Sequence, residues 1–265
     1  MRTKPVSEAH AAYLKRLRRE ARAVRLSQIG ILAGILLLWE LGAVLHWFDP
    51  FILSSPSRVA QTIARLYADG SLWLHIGTTL LETVLGFVAG TALGALVAVL
   101  LWWLPRLNRI LDPYLVVLNA LPKIALGPVL IVWIGAGMAS IVVMGVLVSL
   151  VVTTVTVLNG FLAATDEKQL LMRTLGATKL QIFTKVVLPA GVPDLISALK
   201  ISVGMSWVGV IVGEYLVSKA GLGYLIVYGG QVFKLDLVMA SVTVLCVLAA
   251  LMYYAVAFLE KKVRA

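Results

Sequence analysis

Six long apolar runs constrain this chain more than any other feature: Ile29–Leu45, Ile76–Trp103, Leu111–Ile134, Ile141–Phe161, Leu195–Val217 and Leu237–Leu259. A bilayer's hydrocarbon core takes roughly 20 apolar residues per helix. It offers no water to an open backbone, so runs of this length must satisfy their own amides as helices. Hydrophobic residues make up 60% of the 265 and charged residues only 14%, against about a quarter charged in soluble domains. The chain therefore reads as all-α, a polytopic membrane protein with six transmembrane helices. The first run is a retained span, because its basic lead-in is long and no small-x-small cleavage site follows it. Residues 1–26 form a basic arm and residues 27–265 the transmembrane domain, with a loop at about 163–193.

The net charge of +10 encodes topology rather than an affinity for nucleic acid. With six spans and the N-terminus inside, 17 basic residues fall in cytoplasmic segments and four (Arg58, Arg65, Lys219 and Lys234) in outer ones, the bias expected of an inside N- and C-terminus. The arm AAYLKRLRREARAVR reads as a surface helix held by anionic lipid at about 1 kcal/mol per basic residue. In the first outer loop, VAQTIARLYADG reads as a short amphipathic helix ending at Gly70. Trp47, Trp73 and Trp133 near outer ends, with Trp102 and Trp103 near an inner one, fit interfacial belts. Glycines four residues apart (Gly30 and Gly34; Gly86, Gly90 and Gly94; Gly209 and Gly213) predict close helix contacts. In the third run, Pro122 and Pro128 each remove a donor, which makes this helix either pore-lining or merely kinked.

Catalytic patterns are missing. There is no phosphate-cradling G-x-x-x-x-G-K-[ST], no G-x-S-x-G and no H-E-x-x-H. One cysteine and three scattered histidines offer no metal site. Nor is an internal repeat of the kind found in many secondary transporters visible.

The segment between the fourth and fifth runs is cationic and helix-like. Thr165 precedes Asp166 and Glu167 as an N-cap, and a helix then runs through KQLLMRTL to Gly176, which suits a left-handed C-cap. Thr178 caps a second short helix on which Leu180, Phe183 and Val187 form one apolar face, and Pro189 and Pro193 terminate it. Such a face fits either a groove in a partner or a lipid surface.

Gly176, nine residues, Val186, one residue, then Leu188–Pro189 resembles the EAA loop of ABC-importer permeases, E-A-A-x3-G-x9-I-x-L-P. Leu170, Leu171 and Met172 stand in place of Glu-Ala-Ala, and Val186 in place of Ile. FILSSPSRV, LDPYLVVLNALPKIALGPVLIVWIGAG and VGVIVGEYLVSKAGLGYLI are similar to the branch associated with nitrate, sulfonates and taurine. This resemblance implies a type I ABC-importer permease fold in a bacterial inner membrane. It also implies a coupling helix docking on a separate ATPase subunit through Gly176, Ala177, Leu180, Phe183, Leu188 and Pro189. ATP and Mg belong to that subunit, and this chain needs no cofactor of its own. The expected partners are ATPase subunits, a second permease chain in a homodimer, an extracytoplasmic solute-binding protein and membrane lipid. An ion-coupled secondary transporter, with Glu40, Glu82 and Glu214 as coupling groups, and a membrane anchor or assembly subunit are the alternatives.

Charges inside spans cost about 2.5–3.5 kcal/mol each on insertion scales. Lys123, with Asn119, Ser202 and Ser206, is therefore a candidate patch for a small anion on the translocation path. The other reading is that Lys123 and Lys200 each pair with a carboxylate or a freed carbonyl.

Overall fold

The computed structural model describes residues 8–164 and 166–263. The expected cap Thr165 lies outside them, as do the basic Arg2, Lys4 and Arg264. Among the described residues every regular element is helical: α1 (Glu8–Val44), α2 (Pro50–Leu53), α3 (Pro56–Ala68), α4 (Ser71–Trp103), α5 (Pro105–Ala120), a 3-10 turn (Lys123–Leu126), α6 (Gly127–Ile134), α7 (Met138–Leu162), α8 (Asp166–Thr174), α9 (Lys179–Ile182), a π-turn (Phe183–Val187), α10 (Leu188–Val217), α11 (Leu222–Gln231) and α12 (Leu235–Val263). Among the described residues five helical stretches are long and apolar enough to cross a bilayer, and six if the bent α5–α6 pair counts as one.

The chain forms two compact units, residues 1–62 and 63–265. In the first, the basic arm and first span are one unbroken helix, α1. Asp49 caps α2, its Oδ1 accepting the Phe51 N–H at 2.8 Å. Glu40 Oε2 accepts the Ser57 N–H at 2.9 Å in the first turn of α3, a structural task that a helix N-terminus gives to a carboxylate. Gly30 and Gly34 do not make the close contact expected of them: nothing lies within 4 Å of a Cβ placed at either.

The second unit is organised around α7, which meets α4 on one side and α10 on the other. Gly86 lies on Gly145, its Cβ position 3.3 Å from that Cα, and a Cβ at Gly94 would stand 2.8 Å from the Leu150 carbonyl. On the other side a Cβ at Gly209 would stand 2.8 Å from the Met144 carbonyl. Both glycine rows thus let backbones touch, the arrangement that replaces the hydrophobic drive missing in lipid. Hydroxyls add polar ties: Thr153 Oγ1 and Ser202 Oγ lie 2.6 Å apart, and Thr154 Oγ1 donates to the Gly94 carbonyl.

Two proline expectations are corrected. The third run bends by 87° between α5 and α6, because Leu121, forced extended by Pro122 (ψ 133), ends α5. Pro128 frees no carbonyl in mid-helix. It sits in the first turn of α6, where its missing N–H costs little. Nor do Pro189 and Pro193 separate the loop helix from the fifth span, since Lys179–Val217 is one continuous helical stretch. The Leu188 N–H reaches back five residues to the Phe183 carbonyl, and this wider turn accommodates the ring of Pro189, which would clash with an ordinary α-turn.

Candidate docking loop and translocation path

The loop is rigid for local reasons. Gly176 has φ +79, the Ala177 N–H donates to the Met172 carbonyl at 2.9 Å and the Gly176 N–H to that of Arg173 at 3.0 Å. This is a Schellman end on α8. Two residues on, Thr178 and Gln181 exchange side-chain and backbone bonds in a full capping box. The glycine is therefore demanded by backbone handedness; nothing lies within 4 Å of its Cβ position.

Behind this turn the loop is tied to the transmembrane helices. Phe183 is buried, with its ring 4.9 Å from that of Trp102 and 5.5 Å from that of Phe161. Lys179 Nζ donates to the Trp103 carbonyl at 2.6 Å and lies over both indoles, 5.6 Å and 5.4 Å from the centroids. Ile182 and Val187 join the same cluster. Aromatic pairs and cation–π contacts of this kind add directional energy to plain burial.

The single apolar face expected of Leu180, Phe183 and Val187 is therefore split. Phe183 and Val187 turn inward because Trp102 and Phe161 offer a better cover than solvent. Trp102, expected in an interfacial belt, is buried against them. Leu180 stays 59% exposed, and with it Leu170, Leu171 and Leu175 at 61–73%. Gly176 and Pro189 are exposed, while Ala177 and Leu188 are half-buried and pack on the inner cluster. Leu170, Leu171 and Leu175 are surface that the motif alone does not assign. Their signal was available, since apolar residues on a short polar helix have no core to enter.

The four candidate path residues lie on two segments, Asn119 and Lys123 about the α5–α6 bend and Ser202 and Ser206 on α10. Ser202 and Ser206 are fully buried on α10, Ser202 bonded to Thr153, because small side chains are needed where α10 approaches α7. Lys123 Nζ donates to the Asn119 carbonyl at 3.0 Å, and Lys200 pairs with Glu260 of α12. Both lysines thus have the partners of the second reading. Asn119 borders a cavity of ≈ 220 Å³ with Asp112 and Asn159, whose remaining walls are apolar. No group of three or more metal-ligating side chains converges among the described residues.

A multi-span helical body carrying a helix–turn–helix between two spans is the architecture of a membrane transport subunit. Residues 90–265 match the family model described as binding-protein-dependent transport system inner membrane component, and the chain belongs to that family. It is 33% identical over 238 residues to a probable ABC transporter permease protein of Haemophilus influenzae, covering 89% of this chain and 96% of that one. It is 26% identical to the taurine transport system permease protein TauC of Escherichia coli, over 91% and 90% of the two chains. Against the formylaminopyrimidine transport permease protein ThiX of Halalkalibacterium halodurans it is 30% identical, over 72% and 75%. The fold matches that of the MetNI methionine ABC transporter in an inward-facing conformation, with a TM-score of 0.63 at 22% identity, over 71% of this chain and 94% of that one.

Proposed function

We propose that this chain is the permease subunit of an ATP-driven importer and that residues 166–189 dock a separate ATPase subunit. The observation that carries this reading is the division of labour within the loop. Leu170, Leu171, Leu175 and Leu180 face outward as an apolar plug, while Phe183 and Lys179 bind the same segment to the ends of α4 and α7. A partner gripping the leucines would move the helices. ATP and Mg act on that partner, and paired nucleotide sites call for two copies of this chain. An extracytoplasmic binding protein delivers the solute, and both termini lie inside, in keeping with the basic residues of α1 and the 163–193 loop.

The solute is small and of the sulfonate or taurine class, by likeness to the taurine permease. The cavity at Asp112, Asn119 and Asn159 favours a second reading, a solute rich in N–H donors such as an aminopyrimidine, in line with the formylaminopyrimidine relative. Co-purification with the ATPase subunit encoded beside it tests the assignment. A complex of two permease chains and two ATPase chains with solute-stimulated hydrolysis is expected. Recovery of this chain alone from mild detergent, with the ATPase expressed and soluble, would overturn it.

A further inference from the structure

At the opposite end of the second unit lies a polar site that coupling to an ATPase does not use. His75, Thr79 and Glu82 fall on one face of α4, spaced by one turn each. His75 Nδ1 accepts the Gly221 N–H at 3.0 Å, Thr79 Oγ1 the Leu222 N–H at 2.8 Å, and Glu214 Oε2 the Gly223 N–H at 2.6 Å. Three successive amides at the turn from α10 into α11, the cap Gly221 and the first two residues of α11, are thus held by three side chains. The turn wraps the Glu214 carboxyl so closely that a Cβ at Gly221 would collide with it and one at Gly223 would stand 2.8 Å from Oε2.

Glu82 adjoins Glu214. The two are 2% and 1% exposed, and Glu82 Oε2 and Glu214 Oε1 are buried without a hydrogen-bond partner. Two carboxylates side by side in a dry site cannot both be ionised without a counter-charge. Among the described residues no lysine or arginine pairs with either. From α4 comes His75, its Nδ1 engaged as an acceptor and its ring stacked on Tyr224. From α10 comes Tyr215, the neighbour of Glu214 in sequence, and from α11 Tyr224, whose backbone N–H reaches the Glu214 carboxyl. The sequence of α7 contains no ionisable residue.

We infer that Glu82 and Glu214 bind a single proton between them, and that this proton latches the 218–223 turn onto α4. The proton joins the two unpartnered oxygens, leaving Glu214 Oε2 free to accept from Gly223. Its loss sets two like charges against each other between α4 and α10, and the turn, still held by Glu214, parts from His75 and Thr79. The site is thus a proton-binding latch, and it stands whether or not the chain couples to an ATPase.

The test uses the full-length chain in lipid nanodiscs. Infrared spectra at neutral pH are expected to show a protonated-carboxyl band that shifts in deuterated water and is absent from both Glu82→Gln and Glu214→Gln. Hydrogen exchange of residues 221 and 222, the amides held by α4, is expected to lose protection by about tenfold on alkaline titration, the worth of roughly one hydrogen bond. In Glu82→Gln, whose amide is a permanent donor to Glu214, protection should stay constant with pH. A missing carboxyl band in wild type overturns the inference even if neither variant folds. So does protection that follows added sodium, potassium or calcium at constant pH, which would make the site a cation site.

Discussion

The two ends of the α4–α7–α10 body are fastened by different physics. At the loop end the lock is apolar and aromatic: Phe183 between Trp102 and Phe161, with Lys179 over the indoles. At the other end it is polar, with three amides on His75, Thr79 and Glu214. An apolar lock is insensitive to pH and transmits displacement, because close-packed side chains have no slack. A polar lock of buried groups is strong when fully satisfied and fails when one partner changes. Motion imposed at the first end would therefore be carried through rigid helices to an end built to open.

Substitutions can break this contrast at several strengths. The largest effect is expected between the ends: Gly94→Leu drives a side chain into the Leu150 carbonyl and Thr153. No folded chain should survive detergent extraction, as read by size-exclusion chromatography, since backbone cannot yield as a side chain does. Phe183→Ala comes next. Emptying the site between Trp102 and Phe161 should cost about 3 kcal/mol, and hydrogen exchange across 177–188 should rise while 218–223 is unchanged. Gly176→Ala, forced to keep φ +79, should cost about 1 kcal/mol, visible as a lowered Tm. Lys179→Met should cost about 0.5–1 kcal/mol through the lost cation–π contacts and the lost bond to the Trp103 carbonyl, near the limit of detection by the same measurement.

The smallest effect is one of pH, just before α4. Asp69 accepts from the Ser71 hydroxyl at 2.6 Å and its N–H at 2.9 Å, and these bonds hold its carboxyl below its ordinary value. The stabilisation is therefore present above the ordinary aspartate range and lost as pH falls through the lowered one. Asp69→Asn should flatten that acid limb in a Tm-against-pH series.

Much of this architecture was legible in the sequence, and the failures share one cause. Long apolar runs declare spans because lipid leaves the backbone no other option, and the rows Gly86–Gly90–Gly94 and Gly209–Gly213 declare contact because small residues serve little else there. Gly176 and Thr178 declared the turn through backbone handedness and capping. What periodicity does not reveal is which apolar side chain meets protein and which meets lipid or a partner. Hence Phe183 was expected outside, Trp102 in a belt, and Gly30 and Gly34 in contact. Nor does the sequence reveal that Ser202 meets Thr153, 49 residues away. Prolines were over-read as stops, because a π-turn and a first-turn position both accommodate them.

The most direct test of the account compares two variants in the reconstituted complex with its ATPase and binding protein: Leu171→Asp combined with Leu180→Asp, and Phe183→Ala. The account predicts that the double leucine variant, altered only at exposed positions, folds but releases the ATPase subunit. Phe183→Ala should retain that subunit and hydrolyse ATP without moving solute. A double leucine variant that still binds the ATPase and transports would contradict the claim that this loop is the docking and transmission element.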